Sequence, residues 1–79
     1  MAPTVLRVGA FRFFFFSREE NRPHVHVQSS RGEAKFWLEP IVELAESSGL
    51  GRRDVARALR IVRLHEQEIR EAWDAWFGR

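Results

Sequence analysis

The sequence predicts an α+β fold: a small twisted antiparallel sheet of three to four strands, then a short helix and a long C-terminal helix packed on one face. Two patterns lead to this fold class. The first half of the chain contains short segments in which β-branched or aromatic residues alternate with polar ones, as in half-buried strands. The last third repeats apolar residues every three or four positions, which is the period of an amphipathic helix.

Size and composition limit the possibilities. The chain has 79 residues, of which 44% are hydrophobic and 13% aromatic, so we expect one folded domain over residues 1–79. It contains no cysteine, which excludes disulfides and thiolate metal sites. No segment resembles a signal peptide or reaches the roughly 20 apolar residues that span a bilayer. We therefore expect a cytoplasmic protein that needs neither a membrane nor a cofactor.

Four segments are predicted to be strands. Each is short, rich in β-branched or aromatic residues and bounded by turn or loop residues. They are Thr4–Val8, Phe11–Phe16, His24–Ser29 and Glu33–Leu38. The turn residues Ser30, Arg31 and Gly32 join the third and fourth strands into a hairpin, and the order of the four indicates a meander.

Two helices are predicted after the strands. Pro40 suits the first turn of a short helix that continues through Ser48 and stops at Gly49. Gly51 then caps a long helix that runs from about Arg52 to Phe77. The predicted apolar stripes comprise Ile41, Leu44 and Ala45 in the short helix, and Val55, Ala58, Leu59, Val62, His65, Ile69, Trp73 and Trp76 in the long one.

The segment RPHVHV, residues 22–27, places two histidines two positions apart. In a strand, His24 and His26 would share one face, because side chains alternate between faces. Matching the apolar faces across the hairpin places His24, His26 and Gln28 beside Glu33, Lys35 and Trp37. Histidine serves acid–base chemistry near neutral pH, and Lys35 or Arg12 could stabilise a phosphate. The candidate catalytic residues of a metal-independent ribonuclease are therefore His24, His26, Lys35 and Arg12.

Other interpretations of the histidine pair remain. Short antiparallel sheets often expose a mixed polar face without any chemistry. A metal site would need a third or fourth ligand, and the one other histidine, His65, lies on the apolar stripe of the long helix. We therefore predict no metal site.

Two further surfaces are candidates for binding a partner. Phe11, Phe13 and Phe15 are predicted to fill the core, which leaves the remaining large aromatic residues on the other sheet face, where a protein partner or a second copy could cover them. These residues are Phe14, Phe16 and Trp37. A strip of arginines on the long helix could contact a nucleic acid or an acidic protein, or could simply be solvated. These residues are Arg53, Arg57, Arg60 and Arg63.

The chain also resembles a known family. Its first forty residues read MAPTVLRVGAFRFFFFSREENRPHVHVQSSRGEAKFWLEP, and with the helical remainder they resemble the small bacterial proteins of domain-of-unknown-function family 4160. The PHVHV and AKFWL segments are its most distinctive features. Departures from the family pattern include Phe16, where Tyr is common, and Gly51, where Ser commonly caps the last helix. The resemblance implies a component of a two-gene, toxin–antitoxin-like module.

Together these observations predict a small protein-interaction module, one component of a toxin–antitoxin-like pair. It would bind a protein partner, or itself, through the aromatic sheet surface and the arginine strip. The alternatives are the ribonuclease described above and a nucleic-acid-binding accessory protein.

Overall fold

A computed structural model describes residues 4–16 and 21–78, and these stretches form one five-stranded antiparallel sheet and two helices. The elements are β1 (Thr4–Val8), β2 (Phe11–Phe14), β3 (His24–Gln28), β4 (Glu33–Trp37), β5 (Glu43–Ser48), α1 (Arg52–Leu64) and α2 (Glu66–Phe77). Neighbouring strands in the sequence are neighbours in the sheet. The predicted α+β class and the meander are therefore confirmed, with one strand more than we predicted.

The β3–β4 hairpin has the predicted register. Val25 lies opposite Phe36, and Val27 lies opposite Ala34. All four of these side chains are buried and belong to the core. The side chains of the residues between them lie on the other face, because successive side chains of a strand point to opposite faces.

The predicted short helix over Pro40–Ser48 is wrong, because its second part forms β5. This strand pairs with β4, which satisfies hydrogen-bonding groups that would otherwise line an open sheet edge. The predicted apolar stripe does not enter the core: Ile41 is 63% exposed and Leu44 is 42% exposed. Sheet pairing thus outweighs the local preference of this segment for a helix.

The predicted long helix is divided at His65, which ends α1 and precedes α2. At about 1.5 Å per residue, one straight helix from Arg52 to Phe77 would be about 39 Å long. The longest dimension of the fold is only 33 Å. The break allows α1 to contact β5 while α2 contacts β1. Neither of the two described helices is long and apolar enough to cross a membrane.

The core lies between the helices and one face of the sheet. Phe11, Phe13 and Phe15 are buried in it, as predicted. The helices contribute four fully or almost fully buried residues, which are Ala58, Val62, Ile69 and Trp73. Trp76 departs from the predicted stripe, since it is 46% exposed near the end of α2.

The β3–β4 turn packs directly on the end of β5. A Cβ atom added to Gly32 would lie 2.2 Å from the backbone oxygen of Ser48. A Cβ atom added to Gly49, whose φ is +84°, would lie 2.5 Å from the backbone oxygen of Arg31. Glycine is therefore required on both sides of this contact, since any side chain would push the two backbones apart.

We expect Gly32→Ala to lower the free energy of unfolding by about 2 kcal/mol, because the added methyl group collides with backbone that cannot move away cheaply. Urea unfolding followed by circular dichroism measures this change. Gly51→Ala is the matched control, because a Cβ atom there meets nothing within 4 Å. Equal effects of the two substitutions would contradict the close packing of the turn on β5.

Candidate functional site

The sheet face opposite the core carries the candidate site, and we call it the open face. Its side chains are arranged in cross-strand rows that follow from the pairing of the strands. One row is Arg7, Arg12, Gln28, Glu33 and Ser48; the next is Phe14, His26, Lys35 and Glu46; the third is His24, Trp37 and Glu43. The predicted placement of His24 and His26 beside Lys35 and Trp37 is confirmed by this register.

Charge is distributed unevenly across the open face. Arg7 and Arg12 lie on β1 and β2, toward one edge of the sheet. The carboxylates of Glu33, Glu43 and Glu46 lie on β4 and β5, toward the other edge. The β1–β2 side of the face therefore carries cations, and the β4–β5 side carries these carboxylates together with Lys35 and Arg22.

A cleft of about 400 Å³ opens in this face. The rings of Phe14, Phe16 and His26 line it together with the charged groups of Glu33, Lys35 and Glu46. Phe16 follows the end of β2 and is 46% exposed. The cleft therefore combines an accessible apolar surface with charges of both signs, a combination that suits an amphipathic ligand.

The two histidines of the pair have different environments. His24 is fully buried, and its ring lies against the rings of Trp37 and Trp73, with centroid distances of 5.7 and 5.1 Å. Its Nδ1 lies 2.7 Å from the backbone oxygen of Arg22. Because a carbonyl oxygen only accepts hydrogen bonds, Nδ1 is the donor. His24 therefore holds the backbone in place just before β3. Because its ring is buried, a ligand in the cleft would not contact it.

His26 is the accessible member of the pair. It is partly exposed and lines the cleft directly opposite Lys35. Its ring stacks on Phe14 at a centroid distance of 5.5 Å and meets Phe16 edge-on at 4.5 Å. These contacts orient the imidazole toward the cleft, so of the two predicted catalytic histidines only His26 is placed to contact a ligand.

The aromatic residues of the open face are partly covered by cations. The guanidinium of Arg12 lies over the ring of Phe14, with Cζ 4.5 Å from the centroid. Arg22 and Lys35 both lie over Trp37, with Cζ and Nζ at 4.0 and 4.5 Å from the centroid. We expected Phe14 to stay accessible, but it is buried by neighbours on its own face rather than by a helix. Of the three predicted aromatic residues, Phe16 offers the most accessible surface.

Arg12 and Arg22 are held by further contacts. Arg12 donates from Nε to the Thr4 hydroxyl at 2.7 Å and from Nη1 to Gln28 at 3.4 Å. Arg22 donates to the backbone oxygen of Glu39 at 3.0 Å and lies 3.6 Å from a carboxylate oxygen of Glu43. The cations of the open face are thus positioned by neighbouring side chains and by the β4–β5 connection.

The remaining predicted residues lie elsewhere. The four arginines of the strip are exposed on α1, and the buried side of this helix packs on the core. His65 is at the helix break, with Nδ1 3.2 Å from a carboxylate oxygen of Glu68, and is only partly buried. Within residues 4–16 and 21–78, no three His, Asp or Glu side chains are grouped so that they could hold a metal ion.

Sequence reasoning missed two contributors to the site. Glu46 was assigned to a helix, so its place in the cleft was not foreseen. Trp73 was correctly assigned to the core. Its contact with His24 was not foreseen, because alternation within a strand does not show which helix residue packs against that strand. The pairing of β5 with β4 is the feature that would have revealed Glu46.

Comparison with known proteins identifies the family to which the chain belongs. A family model described as "Domain of unknown function (DUF4160)" matches residues 10–74. This range extends from the start of β2 almost to the end of α2, and so includes the cleft and α1. No curated protein and no solved structure matched the chain.

We expect His24→Gln to lower the free energy of unfolding by about 1–3 kcal/mol, because the substitution removes a buried hydrogen bond and the ring contacts with Trp37 and Trp73. His26→Gln should lower it by less than about 1 kcal/mol, since this ring is partly exposed. Urea unfolding of both variants measures the difference. A His26→Gln variant destabilised as much as His24→Gln would contradict the division into a buried and an accessible histidine.

Proposed function

We propose that this chain, which belongs to the DUF4160 family, is a small protein-interaction module and one component of a toxin–antitoxin-like pair. Its open face would bind a segment of the partner protein, with the cleft as the centre of the interface. The module's partner would be encoded beside it.

The observation that carries this proposal is the mixed lining of the cleft. Phe16 provides an exposed aromatic surface on which an apolar side chain of the partner can pack. Lys35, Glu33 and Glu46 surround it with charges of both signs. An apolar centre with a polar rim is the usual anatomy of a protein–protein interface, and aromatic residues contribute much of the binding free energy there.

The carboxylates of the cleft favour a protein partner over a nucleic acid. Glu33 and Glu46 line the same cavity as Lys35 and His26. A phosphate in the cleft would lie near two carboxylates and one lysine, and repulsion between the phosphate and the carboxylates opposes binding. A protein segment can place a cation beside Glu33 and Glu46 and a carboxylate beside Lys35.

The ribonuclease is the second candidate function, and the pairing of His26 with Lys35 favours it. Both side chains line the cleft and lie directly opposite each other in the register. His26 would take the proton from a ribose 2′-hydroxyl as its oxygen attacks the adjacent phosphate. The P–O bond to the 5′-oxygen would break, the leaving oxygen would take a proton from water, and Lys35 would stabilise the charge that develops on the phosphate. The predicted ribonuclease uses two histidines, but His24 is buried and only His26 lines the cleft. The cleft therefore suits a protein partner better than it suits RNA cleavage.

We expect Phe16→Ser to weaken binding of the product of the neighbouring gene by at least about tenfold, because an aromatic anchor at an interface centre commonly contributes more than 1 kcal/mol. Isothermal titration calorimetry with the two purified proteins measures this change. Phe16 is exposed, so the variant should fold with an unchanged circular dichroism spectrum.

Trp76→Ser is the matched control for this experiment. Trp76 and Phe16 are both 46% exposed, but Trp76 lies on α2, outside the open face. The control should bind like the unchanged protein. Absence of a complex, or equal weakening by both substitutions, would contradict the proposed interface. Metal-independent RNA cleavage that is lost in His26→Gln would favour the ribonuclease instead.

A further inference from the structure

The exposed side of α1 is unusually basic. We call Arg53, Arg57, Arg60 and Arg63 the α1 arginine strip, and all four are exposed. Within the described residues, none of their side chains makes a hydrogen bond or an ion pair. The one acidic residue of α1, Asp54, is half-buried and lies 3.4 Å from the guanidinium of Arg31. The strip is therefore not neutralised by the carboxylate of its own helix.

The strip is unfavourable for the helix that carries it. Its members follow one another at three or four positions, so neighbouring guanidinium groups repel each other along the helix surface. Arg53 also lies in the first turn, where the helix dipole favours acidic residues, whereas the dipole favours Arg63 in the last turn. An anion that bound along the strip would relieve both effects.

The dimensions of the strip fit a polyanion. From Arg53 to Arg63 it extends along the axis by about 15 Å, at about 1.5 Å per residue. Phosphates of one duplex strand follow one another at about 3.4 Å along the axis. The strip is thus long enough for its guanidinium groups to contact more than one phosphate, and arginine binds phosphate oxygens in a two-pronged geometry.

The position of the apolar surface separates a nucleic acid from an acidic protein as the occupant. Within the strip the exposed apolar residue is Ala56, a single methyl group, and the large apolar residue of the same helix face, Leu64, is 78% exposed at its C-terminal end and not at its centre. Stable protein interfaces have an apolar centre, whereas contacts with a phosphate backbone are mainly electrostatic.

We propose that the α1 arginine strip binds the phosphate backbone of a nucleic acid without regard to base sequence. The strip lies on the exposed side of a helix that packs on the core, so it is separate from the cleft of the open face. This inference does not depend on the proposed protein partner, and either can fail alone.

Fluorescence anisotropy with two labelled DNA duplexes of unrelated sequence tests the proposal. Both duplexes should bind equally at 50 mM salt, and the logarithm of the binding constant should fall against the logarithm of salt concentration with a slope of about −3 to −4, as expected for about four phosphate contacts. Arg60→Gln should reduce the slope by about one. Arg57→Glu should weaken binding at least about tenfold at 50 mM salt.

Arg7→Glu is the matched control, since Arg7 is also exposed but lies on β1, and the charge change is the same. This variant should retain duplex affinity within about twofold, and circular dichroism should show that every variant is folded. Three results would overturn the proposal: no duplex binding at 50 mM salt, equal weakening by Arg7→Glu and Arg57→Glu, or tighter binding of polyglutamate than of either duplex. The last result would identify an acidic protein as the occupant of the strip.

Discussion

The register of the β3–β4 hairpin determines which side chains enter the core and which line the cleft. Val25 and Phe36 face each other in the core, and His26 and Lys35 face each other on the open face. Because side chains alternate, a shift of one residue would exchange the two faces of a strand. At one end of the hairpin Gly32 packs on Gly49, and at the other the Leu38 amide donates to the Pro23 carbonyl at 2.9 Å.

The helices complete the fold by covering the core face of the sheet, and Trp73 of α2 also contacts His24 in the third row of the open face. Arg70 of α2 binds the backbone oxygen of Leu38 and the carboxylates of Glu39 and Glu66, which fastens this helix to the end of β4. Trp73, one turn further on, packs on Phe15 and on His24. The same contacts that close the core therefore enclose His24 and leave His26 accessible. The cleft and the α1 arginine strip then form two separate surfaces, and we propose a different partner for each.

The sequence predicted the parts of the fold that depend on strand period. Alternation in His24–Gln28 and Glu33–Trp37 was sufficient to place His26 beside Lys35, because the apolar residues of both strands must share the core. The observed β2, β3 and β4 end one or two residues before their predicted ends, where the chain leaves the sheet. Family membership followed from the same segments and is confirmed by the match over residues 10–74.

The parts that depend on tertiary contacts were not predictable in this way. The segment Glu43–Ser48 has no strong strand signal, and its pairing with the edge of β4 decides its structure. The break at His65 occurs without a proline or glycine, and it allows α1 to contact β5 while α2 contacts β1. The burial of His24 requires Trp73, and the acidic side of the cleft requires Glu46, so both depend on elements distant in sequence.

We propose that the open face, with its cleft, is where a protein partner binds. Amide chemical shifts of the isotopically labelled chain, recorded while the unlabelled product of the neighbouring gene is added, test it most directly. We expect the largest changes on the row that contains Phe14, His26 and Lys35 and on Phe16, with small changes along α1 and α2. Changes concentrated on the helices, with this row unaffected, would contradict it.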